Sequence, residues 1–131
     1  MLVVAALIQI DEKLLVCQRK RGGAFELKWE FPGGKARPGE RLEAALEREL
    51  REEINCPARI GREIYRTRHK YSEMPESVEV VFFAAETAPE TIRNCVFERI
   101  EWRAPETLPE LDFLEADRGL IELIVSGQLK L

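Results

Sequence analysis

Three glutamates stand at a spacing that brings carboxylates together on one helix. Glu49, Glu52 and Glu53 are related by i, i+3 and i+4, which makes them neighbours on a helical surface. On a wheel of about 100° per residue, Glu53 falls about 20° from Leu46, the centre of the apolar face. A carboxylate among leucines is costly unless a cation or hydrogen bonds compensate it. The spacing favours a bound divalent metal over a solvated acidic face, although a solvated face accounts well for the other charges of this helix.

The residue types around this cluster indicate which metal and which ligand it would serve. Ligation by oxygen alone suits Mg²⁺ or Mn²⁺ and argues against zinc, which prefers histidine or cysteine. The preceding segment Gly33-Gly34-Lys35 can bring backbone groups and an ammonium close to a polyphosphate, although a Gly-Gly pair alone is more commonly just a turn. Neither a Walker loop nor a GxGxxG fingerprint occurs. The loop and the acidic helix together predict a metal-assisted phosphate site.

The hydrophobic pattern predicts the elements that must position these residues. Strands are expected at 1–10, 14–17, 58–71, 78–85 and 95–103, and helices at 40–54 and 114–125 with Gly127 ending the second. The first two strands form a hairpin, and residues 22–34 form a long loop that leads to the first helix. In the strand at 95–103, alternation places Val96, Glu98 and Ile100 on one face. This order predicts an α/β fold with a mixed sheet flanked by helices.

Composition excludes several classes of protein. The 131 residues correspond to one domain, 1–131, and the net charge of −4 gives no basic field to attract duplex nucleic acid. The apolar run from Leu2 to Ile8 is too short for a membrane span and lacks a basic leader, so a buried strand and no membrane contact are expected. Three well-separated cysteines, Cys17, Cys56 and Cys95, support neither a disulfide framework nor a zinc site. A reducing cytoplasm is expected.

The motif residues resemble a known family. The sequence closely resembles the Nudix box, GX5EX7REUXEEXGU, where U is a bulky aliphatic residue. Glu40 follows Gly34 after five intervening residues, and the run from Arg48 to Ile54 follows Glu40 after seven more. The segment from Trp29 to Lys35 is similar to the MutT-like branch of that family. The resemblance implies the Nudix α/β/α sandwich and a metal-dependent hydrolase of nucleoside diphosphates linked to another group. It also implies that Glu49, Glu52 and Glu53, with the carbonyl of Gly33, bind Mg²⁺ ions.

The sequence departs from the motif at two positions. Asn55 stands where the motif has glycine, and asparagine tolerates the left-handed conformation of a helix cap better than other residues with side chains. Cys56 replaces the aliphatic residue, and a buried thiol behaves as a small hydrophobe. Both changes are expected to be conservative. Among the other motif positions, Glu40 is expected at the positive helix start and Arg48 as a partner that orients a carboxylate.

The resemblance also implies residues outside the motif. A further glutamate is expected beyond the helix, but counting from Trp102 gives Val96, which cannot bind metal or activate water. Glu98 lies two residues on, and we leave open whether it replaces the missing carboxylate or is a surface charge. Arg19 matches a phosphate-contacting arginine. Phe31 and Tyr71 are candidates to pack on a base, with a plain core role as the alternative.

Asp117 is the residue that bears most on the identity of the base. In MutT-like proteins an aspartate at this position occurs in branches that handle cytidine nucleotides or a broader range. An ionised carboxylate only accepts hydrogen bonds and therefore suits the exocyclic amino group of cytosine or adenine. A charge at a helix N-terminus is the alternative role.

The resemblance thus predicts Mg²⁺-dependent conversion of a nucleoside triphosphate, cytidine-type or oxidised, to the monophosphate and pyrophosphate. Two alternatives remain. One is a Nudix hydrolase of an ADP-sugar or a dinucleoside polyphosphate, and the other is a Nudix module that senses a nucleotide without cutting it. The expected partner is a small nucleotide, and the sequence leaves open whether the chain is a monomer or a homodimer.

Overall fold

The computed structural model describes residues 1–131 and contains seven strands and two helices. The strands are β1 Leu2–Ile10, β2 Lys13–Gln18, β3 Trp29–Glu30, β4 Gly33–Lys35, β5 Arg59–His69, β6 Val78–Glu86 and β7 Arg99–Arg103. The helices are α1 Leu42–Ile54 and α2 Glu115–Val125. Neither helix is long and apolar enough to cross a bilayer.

One mixed sheet organises the fold. Its strand order is β3-β2-β1-β6-β5, with β4 paired to β1 and β7 paired to β2. Strands β1 and β6 run parallel from Leu2↔Glu79 to Ile8↔Ala85, whereas every other pairing is antiparallel. The predicted mixed sheet flanked by helices is confirmed, as is the β1–β2 hairpin.

Period-two alternation along the strands builds a separate core on each face of the sheet. In β1, Val4, Ala6 and Ile8 pack with the α1 core, whereas Ala5 and Leu7 pack with the α2 core. The α1 core also contains the helix residues Ala45, Leu46, Leu50 and Ile54, and the α2 core contains Ala116, Leu120 and Ile121. The two helices therefore cover opposite faces of the sheet.

Helix α1 ends as the sequence predicts. Asn55 adopts the left-handed conformation with φ 55° and ψ 35°, and its backbone N–H donates to the Arg51 carbonyl at 3.1 Å. Cys56 is fully buried, and its N–H donates to the Leu50 carbonyl at 3.2 Å. Asparagine and cysteine thus replace the motif's glycine and aliphatic residue without changing the end of the helix.

Two regions differ from the sequence-based expectation. The segment 22–34 is not all loop, because β3 pairs with β2 and β4 pairs with β1. The strand expected at 95–103 is wrong in its first half, because β7 begins only at Arg99. The Asn94 side chain bonds both the N–H and the carbonyl of Phe97, at 2.8 and 2.9 Å, so the chain turns there. Phe97 is buried in the α1 core, against which Ile100 and Trp102 also pack, so it does not lie on the opposite face from them as the alternation predicted.

Candidate active site

The carboxylates of α1 meet the glycine strand β4. Glu53 Oε1 accepts a hydrogen bond from the Gly33 N–H at 3.2 Å. The Glu49 carboxylate lies so close to Gly34 that a Cβ atom there would be 2.4 Å from its oxygen. Glu49, Glu53, Gly33, Gly34 and Lys35 all line one cleft of about 700 Å³. Gly34 therefore makes room for Glu49, and Gly33 holds Glu53 through its N–H, which are more specific roles than a turn.

Arg48 orients the acidic cluster, as the sequence predicts. Its guanidinium donates to both Glu40 oxygens at 2.9 and 3.0 Å, to Glu49 Oε1 at 2.8 Å and to the Lys35 carbonyl at 3.0 Å. The hydrogen bonds from Arg48 hold the pKa of Glu40 at about 2. Arg48 thus ties the start of α1, the end of β4 and one cleft carboxylate into a single unit.

The cleft carries negative charge that its own cations do not balance. Burial, reinforced by the charges of Glu30 and Glu49, raises the pKa of Glu53 to about 8. Burial also raises the pKa of Glu30 to about 7, even though the adjacent Arg19 guanidinium lowers it. Oxygen donors that repel one another in a partly buried site are the donors that a hard divalent cation takes. The donor set therefore fits the expected metal in kind.

The predicted ligands do not all converge in this arrangement. No group of three or more carboxylate, histidine or cysteine side chains stands close enough together to hold a metal ion. Glu52 lies outside the cleft lining, 53% exposed, with its carboxylate 3.6 Å from Arg48 Nη1. Glu49 and Glu53 are thus brought together in the cleft, and Glu52 is not.

Arg19 lines the cleft but is already engaged. Its Nη1 lies 3.1 and 3.3 Å from the two Glu30 carboxylate oxygens, and its Nε donates to the Ala24 carbonyl at 2.9 Å. The Arg19 side chain is 34% exposed and that of Glu30 is 18% exposed. A phosphate would therefore meet an arginine that is held in place by Glu30.

A second part of the same cleft is apolar, and residues on the α2 side of the sheet form it. Tyr71 accepts a hydrogen bond on its hydroxyl oxygen from the Ala116 N–H at 2.9 Å. Its ring packs between those of Phe25 and His69, with centroids 4.9 and 4.4 Å away. Phe31 lines the cleft but is only 2% exposed, with its ring 5.4 Å from that of Phe113. Tyr71 is thus a rigid wall residue, and Phe31 is chiefly core.

Asp117 is buried at the start of α2 and lines the cleft. It is 5% exposed and is the only charged residue among the buried ones. Burial raises the pKa of Asp117 well above its usual value, the charge of Glu30 adds to this, and the backbone N–H of Phe31 opposes it. The sequence-based argument treated Asp117 as a fully ionised acceptor. The structure corrects that point, because the carboxyl group here keeps its proton to higher pH than an exposed aspartate would.

Backbone hydrogen bonds fasten the α2 side to the strand that carries Glu30. The Trp29 N–H donates to the Asp112 carbonyl, and the Leu114 N–H donates to the Trp29 carbonyl, both at 2.9 Å. The Lys28 and Arg118 side chains both bind Asp112 Oδ1, at 3.0 and 3.1 Å. The position of Asp117 relative to the acidic part of the cleft is therefore fixed by main chain as well as by side chains.

The structure does not bring Glu98 to the acidic cluster. Glu98 is exposed, lies outside the cleft lining, and accepts a hydrogen bond from the Arg21 N–H at 3.2 Å. Val96 instead lines a smaller cavity of about 240 Å³ together with Glu53, Glu30 and Arg19. Position 96 thus shares a cavity with Glu53 but carries no carboxylate. A role for Glu98 in place of that carboxylate gains no support from this placement.

We therefore expect Glu98→Gln to keep the wild-type kcat and KM within about twofold, as surface substitutions usually do. Steady-state kinetics on a nucleoside triphosphate at saturating Mg²⁺ would check this. A fall in kcat at unchanged KM would show instead that Glu98 acts in the transition state.

Sequence reasoning missed two residues of the site. Glu30 was visible only as a charged residue between Trp29 and Phe31, a pattern that hints at a buried carboxylate. Phe25 gave no signal at all, because its place in the cleft depends on a left-handed backbone, with φ 52°, that sequence does not mark for an aromatic residue.

Comparison with known proteins gives one consistent family. Residues 1–124 match the NUDIX domain. The chain is 32% identical over 127 residues to a CTP pyrophosphohydrolase of Escherichia coli K12, covering 95% of this chain and 90% of the relative. It is 31% identical over 133 residues to the nucleoside triphosphatase NudI of Escherichia coli O1:K1, covering 92% and 94%.

Solved structures agree on the fold. The solution structure of the Escherichia coli ORF135 protein superimposes with a TM-score of 0.81 at 28% identity, over 97% of this chain and 89% of that one. The crystal structure of a MutT protein from Methanosarcina mazei Go1 gives a TM-score of 0.85 at 20% identity, over 98% and 95%.

Proposed function

The chain belongs to the Nudix family of hydrolases, and from that premise we propose that it is a pyrophosphohydrolase that converts a nucleoside triphosphate to the monophosphate and pyrophosphate. One observation carries the proposal. A single cleft combines the α1 carboxylates on a glycine strand with an apolar part that ends at the buried Asp117. The acidic part suits a polyphosphate with its cations, and the apolar part suits a planar base.

The residues of the cleft have different proposed roles in metal binding and proton transfer. Nudix hydrolases generally use divalent metal ions, and here Glu49, Glu52, Glu53 and the Gly33 carbonyl are the proposed ligands for Mg²⁺, with Mn²⁺ as a substitute. A bound divalent cation neutralises phosphate charge and lowers the pKa of a water molecule. Glu53, which the Gly33 N–H holds against β4, is the proposed acceptor of a proton from the attacking water.

The remaining groups bind and orient the substrate. Lys35, exposed at the cleft wall, offsets phosphate charge, and Arg19 contributes the guanidinium edge that Glu30 leaves free. Arg48 keeps Glu49 on Gly34 and so fixes one carboxylate before substrate arrives. Tyr71 and Asp117 form the wall against which the base packs, and the almost fully buried Phe31 lines the same part of the cleft.

A release assay on canonical and oxidised nucleoside triphosphates tests this function. Equimolar monophosphate and pyrophosphate are expected, with activity that disappears in excess EDTA and returns with added Mg²⁺. Hydrolysis of an ADP-sugar or a dinucleoside polyphosphate alone would replace the proposed substrate class. Nucleotide binding without any hydrolysis would identify a sensing module instead.

We also propose that the chain prefers cytidine-type nucleotides over uridine-type ones. The support is the buried Asp117 together with the CTP pyrophosphohydrolase among the relatives. An ionised carboxylate accepts from the amino group of cytosine and repels the corresponding oxygen of uracil, whereas a neutral carboxyl group serves either base. Since the pKa of Asp117 is raised, the ionised fraction grows as the pH rises through that value.

The preference should therefore depend on pH. We expect the ratio of kcat/KM for CTP over UTP to increase as the pH rises, and to become smaller and independent of pH in Asp117→Asn. Titration of the catalytic groups affects both substrates alike, so it cancels in the ratio. Glu122→Gln, which changes an exposed carboxylate on the same helix outside the cleft lining, is the control and should behave as wild type. An unchanged ratio in Asp117→Asn would overturn the assignment of Asp117 to base recognition.

The domain organisation, oligomeric state, partners and location of the protein are also part of the proposal. We propose that residues 1–131 act as one Nudix domain, as a monomer or homodimer, with a small nucleotide as partner and neither duplex nucleic acid nor membrane. A cytoplasmic location is proposed because Cys17, Cys56 and Cys95 are all unpaired in the structure.

A further inference from the structure

Phe25 lies in a backbone conformation that an aromatic residue rarely adopts. Its φ of 52° falls in the left-handed region, where a Cβ atom is strained and glycine is favoured. Leu27, two residues on, also has a positive φ of 62°. Strain of this kind persists only where the surrounding structure enforces it, and it concentrates at ligand sites. The strain at Phe25 therefore suggests that its ring has a function in the cleft.

The segment 19–28, which we call the Phe25 loop, is held by several hydrogen bonds. The Arg19 N–H donates to the Lys28 carbonyl at 2.9 Å, and the Leu27 N–H donates to the Arg19 carbonyl at 3.0 Å. The Arg19 side chain binds the Ala24 carbonyl, immediately before Phe25, at 2.9 Å. The arginine that meets Glu30 in the acidic part of the cleft therefore also anchors the loop that carries Phe25.

The Phe25 ring is a wall of the apolar part of the cleft. It packs against Tyr71 with centroids 4.9 Å apart and an interplanar angle of 63°. Phe25, Tyr71, Leu114 and Ala116 line the same cleft, whereas Leu27 does not. The loop thus uses one of its two strained positions to bring an aromatic ring to the cleft.

We propose that Phe25 is a substrate-binding residue that packs against the nucleobase of the substrate. The proposal rests on the proposed function and deepens it, since it assigns the base to the Phe25–Tyr71 wall and the phosphates to the acidic part. An aromatic ring offers a stacking surface to any base, while Asp117 in the same part of the cleft reads the polar edge. Phe25 therefore contributes affinity for the nucleoside and none for the polyphosphate.

Calorimetric binding of two ligands to the Mg²⁺-loaded protein tests this division. The ligands are the nucleoside monophosphate of the preferred base and inorganic pyrophosphate. Phe25→Ala and Phe25→Gly should both weaken the monophosphate by about ten- to a hundredfold, the usual effect of removing an aromatic stacking partner. Both should bind pyrophosphate as the wild type does.

The two variants distinguish the effect of losing the aromatic ring from the effect of backbone strain at residue 25. Both lack the ring, but only alanine keeps a Cβ atom in the left-handed region, so Phe25→Gly should have the higher Tm. If the ring served only to shape the loop, the more stable glycine variant would recover monophosphate binding. Leu27→Gly is the matched control, with the same kind of backbone strain in the same loop but no place in the cleft, and it should bind both ligands as the wild type does.

The possible results distinguish a failure of the proposed function from a failure of the role proposed for Phe25. A wild type that hydrolyses no nucleoside triphosphate and binds no monophosphate overturns the proposed function itself. Normal hydrolysis with unchanged monophosphate binding in folded Phe25 variants overturns the inference on Phe25 alone. Equal weakening of monophosphate and pyrophosphate also overturns it, because that loss would reflect a general collapse of the cleft. If Phe25→Ala and Phe25→Gly fail to fold, Phe25→Leu keeps the bulk without the flat ring, and its monophosphate affinity decides.

Discussion

Replacing Glu53 with glutamine should reduce kcat by at least about a hundredfold, the range found when a general base or its metal partner is lost. Glutamine keeps the size of the side chain and can still accept from the Gly33 N–H, so the wall of the cleft should survive. What disappears is the charge that Glu53 contributes beside Glu30 and Glu49. Steady-state kinetics with a nucleoside triphosphate at saturating Mg²⁺ measure the effect.

The stability of the same variant provides an internal check. Because the pKa of Glu53 is raised from 4.5 to about 8, the folded state favours the protonated form in the absence of a bound cation. The stability that this proton provides is fully present below pH 4.5 and is lost progressively as the pH rises from there through about 8. Glutamine carries no such loss, so Glu53→Gln should have a Tm at neutral pH no lower than that of the wild type. Glu47→Gln, on the same helix but outside the cleft, is the control for activity. Near-normal turnover in Glu53→Gln would exclude Glu53 from the reaction.

Gly33→Ala should be the most damaging of the glycine-to-alanine substitutions in the chain. A Cβ atom there would lie 1.9 Å from the Val4 carbonyl oxygen and 2.7 Å from the Ala5 Cα atom. Both contacts are with the backbone of β1, which cannot move aside without breaking the β1–β4 pairing. We expect a loss of about 3 kcal/mol or more in unfolding free energy, at the upper end for overpacking. Activity should be lost as well, because the Gly33 N–H that holds Glu53 would shift.

Gly23→Ala is the comparison that isolates this clash. A Cβ atom at Gly23 meets only the Lys20 carbonyl oxygen, at an ordinary 3.7 Å, so the unfolding free energy should change by no more than about 0.5 kcal/mol. Chemical denaturation of the two variants measures the difference. A Gly33→Ala protein with wild-type stability would mean that β4 can separate from β1 at little cost.

The acidic part of the site was predictable because it depends on local geometry. Helical spacing alone brings Glu49 and Glu53 to one side of α1, and the neighbouring glycines can be read directly from the chain. The same holds for Asn55, whose left-handed conformation follows from its place at a helix end. Residues that act through sequence neighbours are thus within reach of sequence reasoning.

The parts that could not be predicted depend on distant contacts. The Asn94 side chain turns the chain at Phe97, and no alternation pattern records such a bond. The ionisation of Asp117 depends on burial in a cleft whose walls come from separate stretches of the chain. Tertiary packing decided each of these points.

The two cores on opposite faces of the sheet have a consequence for how such an enzyme diversifies. The residues proposed to cut the phosphate chain stand on α1 and its core, whereas Tyr71 and Asp117, proposed to read the base, pack with α2 on the other face. Substitutions at distant sites combine additively in free energy only where the sites share no partner. Besides burial, the charge of Glu30 raises the pKa of both Glu53 and Asp117, so a change at Asp117 should couple to turnover. New base preferences can therefore accumulate around α2 with little loss of turnover only at residues that do not act through Glu30.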